Sequence, residues 1–263
     1  MDDVSVEDTG NVPAVDRAIA VLEYLTKQKS ATIKDISNEL SIPPASAGRI
    51  IKTLLAHDFL IEKQGKMSAK YSLGLRMLYF SQIVYQQLDI VNIAHEYMET
   101  LSESTNQASQ LAIIDKNSVM YIEMVLPLAP VSIVAPLRTP LPLNLSAGGK
   151  VLLAGMDTKS QLNILESTPL IHATEKSIID KESFILHLHK VKEEGYAIDD
   201  EEYACGIGCL AAPIYNYLGK VVAAVGITGP IALYKQTDSF ESLLDAVFLA
   251  SKSISKELGF SFL

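Results

Sequence analysis

The chain has few cysteines, no long apolar stretch and fewer positive than negative charges. Each of these features excludes some classes of protein. Only two cysteines occur in 263 residues, Cys205 and Cys209. In a reducing cytosol such a pair is expected to remain as free thiols. No run of 18 or more apolar residues is present, and the acidic N-terminus lacks the basic and apolar regions of a secretory signal. We therefore expect a cytoplasmic protein with no membrane partner.

The deficit of positive charge is unevenly distributed. The whole chain has 22 Lys and Arg against 31 Asp and Glu, a net charge of −9. Residues 1–12 carry −4, residues 13–75 carry +3 and residues 76–263 carry −8. An acidic chain argues against nucleic acid as a partner, because binding to a polyanion depends on positive charge. Any DNA contact should therefore come from the one positive segment, and it should be weak for a monomer and strongly salt-dependent.

The positive segment begins with the helices of a helix-turn-helix. Thr32 and Asp35 have the spacing of a capping box at the start of a short helix, and Pro43 and Pro44 suit the first turn of the next one. A longer helix is expected before them, at residues 13–28. Its apolar residues fall on one helical stripe, namely Val15, Ala18, Ile19, Leu22 and Leu25.

The helix that follows the two prolines has a small and cationic face. A rotation of about 100° per residue gathers its apolar positions on one side and leaves the other side to small and positively charged residues. Arg49 and Lys52 can meet phosphates or the acceptor edge of guanine, while small neighbours let the backbone approach a major groove. An ordinary solvated helix is the alternative, because exposed Lys and Arg are common. The predicted DNA contacts are Ala45, Ser46, Arg49, Lys52 and Thr53.

A β-hairpin after this helix completes the layout of a winged helix-turn-helix. The runs at residues 59–61 and 70–73 favour strands, joined through residues 63–66. This connection forms the wing, where backbone or minor-groove contacts are usually made, although loop lysines also serve solubility alone. The predicted wing contacts are Lys63, Lys66 and Lys70.

Residues 74–88 are expected to form an amphipathic linker helix. Its bulky apolar residues recur at helical spacing: Leu75, Leu78, Tyr79 and Ile83. Such residues must be buried somewhere, either on the second domain of the same chain or on a partner chain.

The remainder of the chain favours an α+β domain with a mainly antiparallel sheet, not an alternating parallel one. The predicted helices lie at residues 90–104, 147–154, 158–166, 180–194 and about 237–258. The predicted strands lie at residues 108–114, 118–125, 131–137, 206–216 and 220–228.

Several separated stretches, in this order, resemble the IclR family of bacterial transcriptional regulators. They are SIPPASAGRIIKTL with YSLG in the first domain, then PLPLNLSAGGKVLLAG, GYAIDDEEYACGIGCLAAPIYN and AAVGITGP in the second. The resemblance covers about residues 13–259. It implies a GAF-like effector-binding domain, a homodimer or dimer of dimers, and control of a catabolic operon. The implied partners are double-stranded operator DNA and a small organic, sugar-derived or aromatic acid, with no cofactor.

The expected organisation is therefore a disordered acidic tail and three structured parts. Residues 1–12 form the tail and residues 13–73 the winged helix-turn-helix. Residues 74–88 form the linker helix and residues 89–263 the effector-binding domain.

The resemblance also carries effector contacts onto individual positions of this chain. The first amides of the helix that contains Ala147 and Gly148 would suit a carboxylate, and Asp199 matches a polar contact. Relatives often have Ser at the positions of Gly226 and Thr228; Thr keeps a hydroxyl and Gly removes one. The full set is Ile133, Ala147, Gly148, Asp199, Ile207, Cys209, Gly226 and Thr228.

Each of these residues also has a purely structural interpretation. Gly148 can permit tight packing at a helix start, residues 199–202 can be a solvated acidic turn, Cys209 can be a small buried apolar side chain, and Thr228 fits a strand by propensity. The DNA-reading helix departs from the family as well. Relatives usually have a Lys-Ser-Thr-like run at residues 44–46 and a bulkier aromatic residue or His at Gly48. Specificity would then come from the remaining polar residues or from DNA shape.

Two other classes of function remain open from the sequence. A small-molecule sensor with weak or lost DNA binding would explain the departures in the reading helix. A thiol-dependent enzyme would need Cys209 beside one of the five histidines, and no spacing supports that pairing. His187 and His189 lie two residues apart on a predicted helix, hence on different faces, which disfavours a metal site. We expect neither catalytic nor metal-binding residues.

Overall fold

The protein consists of two compact units, Met1–Gln87 and Leu88–Leu263. The computed structural model describes residues 12–65, 68–87, 89–129 and 132–261. Residues 1–11 of the predicted tail at residues 1–12, the wing residue Lys66 and Leu88 at the end of the predicted linker helix lie outside the described residues. Among the residues that are described, no helix combines the length and apolar character needed to cross a bilayer.

The first unit is a winged helix-turn-helix followed by a further helix. Its core is small and apolar, with Val21, Ile36, Ala47 and Ile51 each at most 2% exposed. A two-stranded antiparallel hairpin closes one side of that core. The elements are α1 (Pro13–Gln28), α2 (Ile33–Glu39), α3 (Pro44–Ala56), β1 (Leu60–Gln64), β2 (Ala69–Leu73) and α4 (Arg76–Gln87).

The start of each short helix follows the local sequence signals. The Thr32 amide donates to the Asp35 carboxylate at 2.9 Å, and the Asp35 amide donates to the Thr32 hydroxyl at 3.2 Å. The predicted capping box is therefore present. Pro44 occupies the first turn of α3, where its missing N–H costs no hydrogen bond.

The first helix occupies residues 13–28 as predicted. Val15 and Ile19 are about half exposed, whereas Val21 and Leu25 are buried, because α1 packs on α3 and β2 along the face that contains Val21. One detail of the first unit differs from the sequence prediction. The first strand begins one residue later than predicted and extends farther into the wing, to Gln64.

The second unit is a five-stranded antiparallel sheet with helices on both faces. The strand order is β4-β3-β7-β6-β5, which confirms the predicted sheet type. Helices α5 and α10 cover one face, and α6 with α8 behind it covers the other. The elements are α5 (Ile90–Thr105), β3 (Ala108–Asp115), β4 (Ser118–Val125), a 3₁₀ turn (Leu143–Leu145), α6 (Ala147–Ala154), α7 (Thr158–Ser167), α8 (Lys181–Glu194), β5 (Ala197–Asp200), β6 (Ile207–Tyr215), β7 (Val221–Pro230), α9 (Ile231–Tyr234) and α10 (Thr237–Glu257).

Alternation along the central strands divides the unit into two cores. On β7, Val225 and Ile227 point into the core shared with α5 and α10. Ala224 packs on the opposite face, toward α6 and α8. Gly226 and Thr228 share that second face by the period of two along a strand. The face toward α6 therefore carries small or polar side chains, which leaves space above the sheet.

The predicted strand at residues 131–137 is wrong. Its described part forms only an isolated bridge with the sheet edge, between Leu137 and Tyr121. A second isolated bridge, between Leu141 and Val119, follows the segment. Pro136 and Pro140 lie in the same stretch, and a proline has no N–H to donate to a strand ladder. Residues 132–141 therefore form an irregular strap beside β4. A short strand that the sequence analysis missed, β5, pairs instead with β6 at the far edge.

The capping box offers a direct test of how α2 is stabilised. Thr32→Ala removes the hydroxyl that accepts the Asp35 amide, so the first unit should lose about 1 kcal/mol of unfolding free energy in chemical denaturation. Thr26→Ala is the matched control, since Thr26 is exposed and its hydroxyl donates to the Glu23 carbonyl of the same helix; it should change stability by less than about 0.5 kcal/mol. Equal effects of the two variants would contradict this account of the cap.

Candidate functional site

The exposed face of α3 is the first candidate site. Arg49, Lys52 and Thr53 are exposed, whereas Ala47 and Ile51 are buried in the core of the unit. Ala45 is also exposed and Ser46 is half-buried. Within the described part of the chain, neither Arg49 nor Lys52 forms an ion pair, so both charges are available to an external anion. The structure thus puts the predicted contacts on one accessible helix face.

The wing carries further positive charge next to this helix in sequence. Lys63 and Lys70 are direct cross-strand partners in the β1–β2 hairpin, and both are exposed. Like charges directly opposite one another destabilise a hairpin unless something neutralises them. A polyanion bound at the wing would provide that neutralisation.

The second candidate site is a cavity between the sheet and the strap at residues 132–141. Its empty volume is about 470 Å³. The strap supplies apolar walls, including Ile133 and Pro136, and Ile207 adds another from β6. The polar groups come from the sheet side and from the start of α6: Tyr121, Ser146, Asp199, Cys209 and Thr228.

A smaller recess adjoins this cavity under the start of α6. It has room for no more than about one water molecule, and it shares Tyr121 and Cys209 with the larger cavity. The eight predicted effector residues are divided between the two spaces. Ile133, Asp199, Ile207, Cys209 and Thr228 line the cavity, while Ala147, Gly148 and Gly226 line the recess together with Cys209.

Asp199 presents an unpaired carboxylate oxygen to the cavity. The residue is 1% exposed, and its Oδ1 accepts the amides of Glu202 at 2.7 Å and Tyr203 at 3.2 Å. Its Oδ2 has no hydrogen-bond partner among the described residues. Burial raises the pKa of Asp199, and the two amide hydrogen bonds oppose that rise. Such an oxygen can accept a hydrogen bond from a ligand hydroxyl or N–H group.

A buried lysine, which the sequence analysis missed, positions this carboxylate. Lys150 on α6 is completely buried, and its ammonium group donates to the Ile198 carbonyl at 2.7 Å. The same ammonium pairs with the carboxylate of Glu202. A single lysine in the otherwise apolar run AGGKVLLA was the available signal, because a buried charge requires a partner elsewhere.

The structural interpretation of residues 199–202 as a solvated acidic turn is therefore wrong for two of its members. Asp199 and Glu202 are buried, whereas Asp200 faces solvent. Burial raises the pKa of Glu202, and the adjacent Lys150 opposes that rise.

Two exposed lysines form ion pairs on the solvent side of the same loop. Lys176 lies 2.6 Å and Lys235 lies 2.9 Å from the Glu201 carboxylate. Both hold the pKa of Glu201 down, to about 2. Glu201 also accepts the Gly206 amide at 2.9 Å, so its side chain spans the turn between β5 and β6. The loop that follows Asp199 is thus fixed on its buried side and on its solvent side.

Cys209 is a protonated thiol in the cavity wall. Its sulfur lies 3.2 Å from the Thr228 hydroxyl, and burial raises the pKa of the thiol far above its ordinary value. Burial lowers the pKa of His187 on α8 to about 4, so this histidine is neutral near pH 7. A thiolate nucleophile paired with an imidazolium is not available here. Within the described ranges, no cluster of three or more His, Cys, Asp or Glu could hold a metal ion.

Sequence comparison identifies similar proteins over most of the chain. The model of the C-terminal domain of bacterial IclR transcriptional regulators matches residues 82–256, and that of the IclR helix-turn-helix domain matches residues 14–62. The chain is 31% identical over 247 residues to the HTH-type transcriptional repressor AllR of Salmonella typhi. That alignment covers 94% of this chain and 90% of the relative.

Solved structures agree with the fold. The IclR protein of Thermotoga maritima matches with a TM-score of 0.62 at 24% identity, covering 94% of this chain and 98% of that one. The C-terminal domain of the Escherichia coli transcriptional regulator KdgR matches with a TM-score of 0.60 at 29% identity, covering 66% of this chain and all of that domain.

Breaking the buried Lys150–Glu202 pair should destabilise the second unit. Lys150→Met leaves the buried Glu202 carboxylate unpaired and should lower the unfolding free energy of the second unit by about 3–5 kcal/mol, measured by chemical denaturation. Lys176→Met, which removes an exposed partner of the same loop, should have a much smaller effect. Adding Glu202→Leu to Lys150→Met should recover most of the loss, because no unpaired charge then remains. A double variant as unstable as the single one would count against the pair.

Proposed function

The chain belongs to the IclR family of bacterial transcriptional regulators, and from that premise we propose that it is a repressor whose affinity for operator DNA is controlled by a small organic acid. The operator would govern a catabolic operon, and the acid would be one of its metabolites. The chromosome is then its site of action, in the cytoplasm. The closely matching AllR relative is named as a repressor, which favours repression over activation.

The observation that carries the DNA-binding proposal is the cationic face of the first unit, which forms no ion pair among the residues that the structure describes. Arg49 and Lys52 on α3 and the facing pair Lys63 and Lys70 on the wing all belong to the one positive segment of an acidic chain. In this fold, the helix enters the major groove of DNA and the wing contacts the DNA backbone. Gly48 has no neighbouring atom within 4 Å of where a Cβ would lie, so the duplex can approach closely there.

A second copy of the chain is the proposed partner of the exposed apolar surface on the first unit. Leu75, Leu78 and Tyr79 are 76%, 65% and 53% exposed in the single chain. Val15 and Ile19 on α1 add further exposed apolar area. Leu75, Leu78 and Tyr79 recur at helical spacing, and exposed apolar side chains grouped in this way mark an interaction site. A symmetric dimer would place two α3 helices in successive major grooves, with half-sites about 34 Å apart.

The cavity in the second unit is the proposed effector site. Its apolar strap and its polar floor suit a small molecule with one apolar side and a few hydrogen-bonding groups. The first amides of α6 have no acceptor within their own helix and favour an anionic group. The enzyme alternative has no support, since the relatives are regulators and Cys209 is held protonated.

Arg49→Ala tests the assignment of the reading face. The variant should weaken binding of the full chain to the DNA upstream of its own gene by about 1–3 kcal/mol. If Arg49 meets a phosphate, the slope of log affinity against log salt should also fall by about 0.9. Fluorescence anisotropy over a series of salt concentrations measures both quantities.

Arg138→Ala is the matched control, since Arg138 is an exposed arginine of the second unit. It should leave the affinity and the salt slope unchanged. Wild-type affinity in Arg49→Ala would show that this face does not read DNA. A wild-type chain without any sequence preference would favour the alternative of a sensor that has lost DNA binding.

Leu78→Glu tests the proposed dimer. A charge in the apolar patch cannot be buried without a large desolvation cost, so sedimentation equilibrium should show a dissociation constant at least about tenfold weaker, equivalent to about 1.4 kcal/mol. Leu128→Glu, at a fully exposed loop leucine, should leave the association unchanged. A wild-type chain that is monomeric at all concentrations would contradict the proposal outright.

A further inference from the structure

We propose that Gly48 is a specificity-determining residue of the DNA-reading face: because it has no side chain, the backbone of α3 can lie against the methyl group of a thymine in the major groove. This inference rests on the proposed function and deepens it. It names a base that the face selects and a residue that selects it, outside the predicted set of DNA contacts.

The fold of the first unit does not require glycine at position 48. Gly48 lies in the interior of α3, and a Cβ built there would meet no atom within 4 Å. Gly74 in the same unit is different, because a Cβ there would collide with the carbonyl oxygen of Asp58. Packing therefore explains the glycine at position 74 but not the one at position 48.

Glycine at position 48 also lowers the stability of the helix. A glycine in a helix interior loses more backbone freedom on folding than an alanine does. The start of α3 does not offset this loss, since its N-cap, Pro43, makes no side-chain capping hydrogen bond. A residue that weakens its helix and meets no packing need is expected at a position that serves function.

The position of Gly48 on α3 puts it beside the charged DNA contacts. With about 100° of rotation per residue, Gly48 lies about 40° from Lys52, about 60° from Ala45 and about 100° from Arg49. Those three neighbours are exposed, and Gly48 itself is partly accessible. A duplex that contacts Arg49 and Lys52 therefore also meets the backbone at Gly48.

The chemistry of this part of the face selects a methyl group. Ala45 and Gly48 have no hydrogen-bonding side chain, and the backbone amide and carbonyl groups of a helix interior bond to one another. In the major groove, base edges present acceptors, amino donors and the methyl group of thymine, and a surface of C–H groups can recognise only the last. A side chain at position 48 would occupy the space that the methyl group needs.

Two substitutions separate stability from DNA binding in the full chain. Gly48→Ala should raise the melting temperature of the first unit by about 4–8 °C, yet weaken binding to the operator upstream of its own gene at least about fivefold. Gly48→Leu should weaken binding further, because its side chain is larger. Calorimetry gives the melting temperature, and fluorescence anisotropy gives the affinity.

Thr26→Ala is the matched control, since it also introduces alanine at an exposed helical position of the first unit. It should leave operator affinity unchanged. Wild-type affinity in both Gly48 variants would overturn the inference. A lower melting temperature in Gly48→Ala would overturn it as well, because the fold would then need the glycine.

Replacing thymine by uracil in the operator tests the choice of base. Footprinting first locates the operator, and single deoxyuridine substitutions then remove one methyl group at a time. At one position of a half-site, the wild type should lose about fourfold in affinity, the equivalent of one buried methyl group. Gly48→Ala should be insensitive to that substitution, because the contact is already lost.

The outcomes distinguish this inference from the proposed function. A wild type that is insensitive to uracil at every position, or a variant that is equally sensitive, overturns the selection of thymine by Gly48. Weaker binding in Arg49→Ala but not in Gly48→Ala overturns the inference alone and leaves the regulator intact. A wild-type chain with no preference for its own upstream DNA overturns both.

Discussion

A fully buried ammonium group is the constraint on which the second unit depends. Lys150 has no access to water, so its charge must be matched inside the protein, and Glu202 provides the match. This pair joins α6 to the loop after β5, and the hydrogen bond to the Ile198 carbonyl joins α6 to β5 itself. Asp199 lies between these two attachment points. Its carboxylate is held by the Glu202 and Tyr203 amides, and Lys150 anchors the residues on both sides of it.

The space between the sheet and α6 results from the small side chains on that face of the sheet. Ala112, Ala211, Ala224 and Gly226 put little volume on the face that meets α6. Small side chains at the centre of a sheet let a helix start close to the strands, and they leave a recess where larger residues would pack. The strap then covers the adjoining cavity with apolar side chains but adds no strand to the sheet. The start of α6 and Asp199 therefore lie around neighbouring spaces on this face of the sheet.

Local signals in the sequence predicted much of this structure. The capping box at Thr32 is an interaction between near neighbours, and the type of sheet follows from strand spacing, so both could be anticipated. The strand predicted at 131–137 failed because prolines in the strap prevent the ladder that its apolar residues suggested. The role of Lys150 could not be assigned from sequence, since its partners Ile198 and Glu202 lie about 50 positions away. Only the folded sheet and the start of α6 bring those groups together.

In the proposed regulator, the effector pocket and the cationic DNA-reading surface are coupled within one chain. Their linkage is measured as operator affinity with and without a saturating small organic acid, and as affinity for that acid with and without operator DNA. Thermodynamics requires the two factors to be equal, and we expect a factor of about 5 to 150, or about 1–3 kcal/mol. A factor of one for an acid that demonstrably binds would contradict it.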